Sequence, residues 1–192
     1  AAGRAASTPL RNLITIGGSL VGLLPWSDPP VALLCMDADV LVEGLDKRRI
    51  PIAEFILGPP ARLLASHEIV TSIEVRDTAR IGTFIKFSRT DFDFSLADVA
   101  MSAMVDDGIL RDVRIALGAV EGLPRLLETV GLLIEGRALQ DVTDAEIRSA
   151  VAAEVRPRHD KRVSRGYLLE LTGALVIRVL NEMRSQMEGD AR

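Results

Sequence analysis

The run Arg11-Asn-Leu-Ile-Thr-Ile-Gly-Gly-Ser19, with Asp28 behind it, has the residue types and spacing to hold an anion. Two glycines in series permit positive φ and let another molecule approach the backbone without meeting a Cβ. Successive amide N–H groups in such a turn can face one concavity and cradle a phosphate. Thr15 and Ser19 flank the glycines and add hydroxyl donors, and Asp28 can accept hydrogen bonds from sugar-like hydroxyls. Gly-Gly alone also suits a plain hairpin turn, so the choice depends on the rest of the chain.

The 192 residues, 48% of them hydrophobic, suffice for one sizeable core or two small ones. A net charge of −4 gives no electrostatic reason to expect nucleic acid or an anionic membrane as partner. The single cysteine, Cys35, lies in the apolar run Val31–Met36 and reads as a buried, inert thiol. It excludes an internal disulfide framework, and a cysteine zinc site or iron–sulfur cluster held by this chain alone. The first nine residues lack the apolar core of a secretory signal, and no apolar run approaches the roughly 20 residues of a membrane span, so a cytoplasmic location is expected. His67 and His159 lie in polar stretches that read as solvated connections, away from a plausible Ser or Cys partner, so hydrolase triads have little support.

Residues 10–16 read as a short strand entering the glycine turn. Pro29-Pro30 ahead of Val31–Met36 suits a helix with proline in its first turn. Asp39–Glu43 and Arg48–Pro51 read as a hairpin, Ile52–Leu57 as one helical turn, and Glu68–Val75 as a strand. A polar break at 77–80 marks the expected boundary between two domains, 10–80 and 81–184, with 1–9 and 185–192 as tails. The second region opens with a strand at Gly82–Ser88, followed by two strands around the hairpin signal Asp106-Asp107-Gly108. Val113, Ile115 and Leu117 alternate with Arg114, which predicts a sheet buried on one side. From Pro124 the period becomes helical, with a stripe from Leu126 to Ile134 ending at Gly136. A capping box at Thr143-Asp-Ala-Glu146 and a last apolar face from Leu168 to Met183 complete three helices. The fold class is therefore α+β, with a three-stranded antiparallel sheet packed on three helices in the second domain.

Three elements then stand in a characteristic order: Thr15-Ile-Gly-Gly18 with Asp28, Glu68-Ile69-Val70, and Phe84-Ile-Lys-Phe-Ser-Arg89 ahead of Asp93. In that order and spacing the chain resembles the medium, FAD-binding subunit of the molybdenum hydroxylases, the xanthine dehydrogenase and carbon monoxide dehydrogenase family. The resemblance runs from about Arg11 to Met183 and includes Arg114-Ile-Ala-Leu-Gly-Ala-Val120 and Arg162-Val-Ser-Arg-Gly-Tyr167. It implies that residues 10–80 are the C-terminal part of a FAD-binding domain, an antiparallel sheet with short helices. It implies FAD as cofactor, held by Thr15, Ile16, Gly17, Gly18, Ser19, Asp28, Val70 and Lys86. Thr15 to Ser19 would follow the phosphate and ribityl region, Val70 would pack on the flavin, and Lys86 would lie near its ring. Without the resemblance, Lys86 reads as an outward-facing strand residue and Asp28 as a helix N-cap; Arg89 and Asp93 read as a structural pair.

The implied function is electron transfer through FAD, between iron–sulfur clusters of a partner subunit and an external acceptor. Hydroxylation would take place on a third, molybdopterin-binding subunit. The family pattern begins earlier, with another glycine-rich loop that nothing here matches. Another chain supplies it, or the sequence is a piece of a longer one, or full FAD binding has been lost. Ser19 stands where asparagine is common, and Leu168 where arginine is common. A structural or interaction subunit that keeps the fold without binding FAD by itself is the alternative.

Overall fold

A computed structural model describes residues 8–59, 63–76, 79–90 and 93–190 of the chain. Residues 10–16 are not the expected strand: α1 (Thr8–Arg11) and α2 (Ile16–Gly22) flank an irregular stretch. The cause is local. Thr15 is extended (φ −113°, ψ 154°), and its hydroxyl accepts a hydrogen bond from the Gly18 N–H at 2.9 Å, which makes it the N-cap of α2. Gly17 and Gly18 therefore fall in the first helical turn and not in a reverse turn. Leu23 ends the helix in the left-handed region (φ 40°), its N–H reaching the Ser19 carbonyl at 3.3 Å.

The next elements follow expectation. Helix α3 (Asp28–Cys35) starts with its two prolines in the first turn. Strands β1 (Asp39–Glu43) and β2 (Lys47–Pro51) form a hairpin, α4 (Ile52–Phe55) is one turn, and β3 (Ile69–Glu74) pairs with the other edge of β1. The first sheet is thus antiparallel in the order β2-β1-β3.

The second sheet contains β4 (Arg80–Phe87), β5 (Ala97–Asp106), β6 (Ile109–Gly118) and β7 (Arg125–Leu126), antiparallel in that order. Asp107 and Gly108, at φ 48° and 76°, make the mirror-image turn that suits the strand twist. The two-residue β7 adds a fourth strand where a helical period was expected to begin. The Leu127 N–H still bonds the Ile115 carbonyl at 2.7 Å, so α5 starts only at Glu128 and runs to Ile134. Helix α6 (Asp144–Glu154) opens on the expected capping box, and α7 (Arg165–Asp190) carries residues 185–190, expected as a tail, within its last turns.

The second sheet is buried on both faces, not on one. Val99, Met101, Ile115 and Leu117 pack with Val130, Ile147, Val176 and Val179 of the three helices. The opposite face gives Ala100 and Ala116 to a second core, with Val31 and Leu34 of α3 and Val40, Val42 and Ile50 of the first sheet. Helix α3 therefore lies between the two sheets. The small residues on that face are what allow the helix to approach: a Cβ on Gly118 would lie 2.4 Å from Val31 Cγ2. Bonds at the C-terminal end of α3 fix its direction, with the Ser102 hydroxyl donating to the Cys35 carbonyl at 2.5 Å and Arg114 paired with Asp37 at 2.6 Å.

Gly118→Ala should overpack this seam and destabilise the chain by about 1–3 kcal/mol. Adding Val31→Ala should recover part of that loss in urea unfolding. A double variant less stable than the sum of the two single changes would place the clash elsewhere.

Candidate functional site

A pocket of about 400 Å³ opens where the capped start of α2, the start of α3 and β4 meet. Its volume lies within the range of about 300–1,000 Å³ usual for ligand sites. Thr15, Gly18, Ser19, Asp28 and Lys86 all line it, so five of the eight residues singled out in the sequence converge on one place. Ile16 and Gly17 lie in the same helical turn without lining the pocket. Val70 does not line it: it sits on β3, half-buried against the core of the first sheet.

The polar groups here are connected to one another. The Gly18 N–H is taken by Thr15 Oγ1, and the Ser19 hydroxyl donates to the Thr15 carbonyl at 3.0 Å. The Ile16 and Gly17 amides precede the first backbone bond of α2, so the free donors of its N-terminus are theirs. At the floor, Lys86 Nζ binds Asp28 at 3.1 Å, with side chains only 9% and 2% exposed. Ser95 also donates to Asp28, at 3.1 Å. Burial pushes the Asp28 carboxyl above the usual carboxylate range, and the Lys86 ammonium opposes that rise. Asp98, opposite Lys86 in the β4–β5 ladder, is fully buried beside this cluster, and neither of its oxygens has a hydrogen-bond partner.

The walls are apolar, and sequence reasoning missed them. Leu13, Ile14, Leu24, Trp26 and Phe94 line the pocket, and the Trp26 and Phe94 rings meet at a centroid distance of 4.9 Å. Leu13 and Phe94 are 80% and 60% exposed, a large apolar area left in water at the mouth. The available signal was Trp26, the only tryptophan in the chain, two residues before Asp28.

The Phe94 wall is held from behind. Arg162 donates to the Phe94 and Ser95 carbonyls at 3.0 and 3.1 Å while binding Asp160, whose carboxyl it holds well below the usual range. Arg158 also binds Asp160 and donates to the Ala119 carbonyl at 2.9 Å. The stretch around His159, expected as a solvated connection, is thus partly a packed clamp. Arg89 and Asp93 form the expected pair at 2.9 Å.

A larger hollow of about 690 Å³ between α3 and β4–β5 contains none of the predicted site residues. Its Arg80 is engaged by Ser102 and Asp112, and burial pushes its Cys35 thiol up to about 12, far from a reactive thiolate. Among the described residues, no group of His, Cys, Asp and Glu is placed to hold a metal ion, and no helix is long and apolar enough to cross a membrane.

Residues 1–76 match the family described as the FAD binding domain in molybdopterin dehydrogenase, and residues 82–183 the CO dehydrogenase flavoprotein C-terminal domain. The glyceraldehyde dehydrogenase medium chain of Sulfolobus acidocaldarius is 29% identical over 91% of this chain and 63% of its own length. The carbon monoxide dehydrogenase medium chain of Hydrogenophaga pseudoflava is 31% identical over 92% of this chain and 62% of its own. A solved carbon monoxide dehydrogenase from the latter organism, lacking the Mo-pyranopterin moiety of its cofactor, superposes with a TM-score of 0.81 at 26% identity. That match covers 92% of this chain and 63% of the solved one. The chain thus spans somewhat less than two thirds of the length of these relatives.

Lys86→Met should leave Asp28 buried without its counter-ion and cost about 3 kcal/mol near pH 8. The loss should shrink as the pH falls, because a carboxyl raised in the folded state regains its proton before that of the unfolded chain does. Denaturant unfolding of Lys86→Met and of the double variant with Asp28→Asn checks this. The double variant should be the more stable of the two near pH 8, and the reverse order would remove the pair from the structural account.

Proposed function

Since the chain belongs to the flavoprotein, medium-chain family of the molybdopterin dehydrogenases, we propose that it binds FAD in the pocket between α2, α3 and β4. The proposed role is electron transfer between iron–sulfur clusters of a partner subunit and an external acceptor, in a cytoplasmic complex with a molybdopterin-binding subunit. The observation that carries the reading is the convergence of Thr15, Gly18, Ser19, Asp28 and Lys86 on one pocket from three separate elements.

The residues fit such a cofactor. The apolar walls suit a flat aromatic ring, and Trp26 and Phe94 supply ring faces at one side. The Thr15 hydroxyl, which accepts from the Gly18 N–H, keeps its own O–H to donate to a phosphate or ribityl chain, and the Ser19 oxygen can accept from one. A bound flavin supplies a carrier able to take electrons from one partner and pass them to another. With a flavin bound, Lys86 would bring a positive charge to the pocket, which would favour a ring that gains negative charge on reduction. Because Asp28 neutralises Lys86 in part, the pair presents a dipole to the ring more than a free charge. No residue of the pocket is asked to act as general acid or base.

The alternative, a structural subunit that does not bind FAD by itself, has one observation in its favour. Lys86, Asp28, Ser19 and the Gly18 N–H are already satisfied within the chain, so the fold does not need a ligand to complete their bonding.

Trp26 decides between the two, because it is the only tryptophan and it lines the pocket. Titration with FAD should quench its emission saturably. Gly18→Val should weaken the FAD affinity at least about tenfold, while costing no more stability than a lost cap, about 1 kcal/mol. A Cβ at Gly18 would meet Thr15 Oγ1 at 2.9 Å and disturb that corner of the pocket. Emission unchanged at saturating FAD would favour the structural reading.

A further inference from the structure

Asp98 and Lys86 are direct cross-strand neighbours in the β4–β5 ladder. In such pairs the Cβ atoms stand about 4.5–5.5 Å apart, close enough for an ion pair. The Lys86 ammonium nevertheless binds Asp28, and Asp98 has no hydrogen-bond partner on either oxygen. An isolated carboxylate in a dry interior is so costly that the group usually takes up a proton instead.

The surroundings explain why Asp98 has no donor. Its side chain lies on the sheet face covered by α3, whose residues Pro29 and Pro30 have no N–H to offer. Gly118, its neighbour on β6, has no side chain, and a Cβ there would lie 3.5 Å from Asp98 Oδ2. The Ser95 hydroxyl and the Lys86 ammonium are near enough to favour a charged Asp98, but both make their bonds to Asp28 instead. The cations of the packed elements are engaged elsewhere: Lys86 of β4 by Asp28, and Arg158 and Arg162, after α6, by Asp160 and backbone carbonyls. Asp28 of α3 is the other acidic group beside it, and Cys35 lies at the far end of that helix, its thiol against the Arg114 carbonyl.

We propose that Asp98 is held as the neutral acid and acts as a positioning residue. With no charge on it, Asp28 is the sole counter-anion of Lys86, and the ammonium stays at the pocket floor instead of being drawn along the sheet. Burial is the first cause of the proton's retention, since it pushes the carboxyl well above the usual range; repulsion from Asp28 adds to it, and Ser95 and Lys86 oppose it without cancelling it. This deepens the FAD reading, because it names what fixes the lysine at that site.

The direction of the pH effect follows. A carboxyl raised in the folded state keeps a proton that the unfolded chain has already released, so its contribution makes folding less favourable as pH rises. Asp98→Asn keeps the shape and removes the titration. The unfolding constant of the wild type, divided by that of Asp98→Asn, should therefore rise by up to about tenfold per pH unit once the pH exceeds the value of an unfolded aspartate, about pH 4. In the wild type, the side-chain carboxyl carbon resonance of Asp98 should remain that of the protonated acid at about pH 7, a readout that stands even where the variant does not fold. The Lys86 Nζ resonance should be the same in wild type and Asp98→Asn at neutral pH, because one uncharged group replaces another. Parallel stability profiles, an Asp98 carboxyl titrating near pH 4, or a displaced Lys86 resonance would each overturn the proposal. None of these readouts needs FAD, so failure here is separate from failure of the functional reading.

Discussion

The ion pair between Lys86 and Asp28 joins the two halves of the molecule at the place where the candidate site forms. The lysine comes from the first strand of the second sheet and the aspartate from the start of the helix that covers it. Removing two such charges from water costs several kcal/mol each, and only close geometry with further hydrogen bonds offsets that cost. Here the bond from Ser95 supplies a further partner, and the Arg162 clamp on the Ser95 and Phe94 carbonyls fixes Ser95 in turn. The pair sets where α3 begins relative to β4, and α2 stands directly ahead of α3.

That arrangement places the pocket at a junction. Small side chains, Ala100, Ala116 and Gly118, let α3 settle on the second sheet, and its other side packs with the first. The polar residues on the same face are confined to the two ends of the helix. Ser102 and Arg114 hold the C-terminal end through bonds to Cys35 and Asp37, and Lys86 with Asp98 occupies the other. The structural and the ligand-directed chemistry are therefore parts of one network, since the lysine that would face a flavin also keeps a buried carboxylate paired.

Much of this was legible in the sequence where the signal is local. The hairpins at Gly44–Asp46 and Asp107–Gly108, the Pro29-Pro30 helix start and the Thr143–Glu146 capping box depend on neighbours in sequence, and each stands as read. The failures have long-range causes. Leu13, Ile14 and Ile16 look like a strand because they are apolar, yet they remain exposed near a pocket mouth, where they need no strand partner. Glycines that usually break helices lie inside α2, because the Thr15 cap stabilises its first turn. The alternation of Val113, Ile115 and Leu117 revealed one buried face, but alanines on the other gave no comparable signal. Thr15, Ser19, Asp28 and Lys86 were identified as a set, whereas Trp26, Phe94, Ser95 and Asp98 meet them only through the fold.

The most direct test of a flavin seat at this junction is the electron density of the chain crystallised with FAD. The account predicts a flavin ring over the Lys86–Asp28 pair and against Trp26 and Phe94, with its chain along Thr15, Gly18 and Ser19. Density for the cofactor in the hollow lined by Cys35 and Arg80, or an unchanged pocket at saturating FAD, would contradict it.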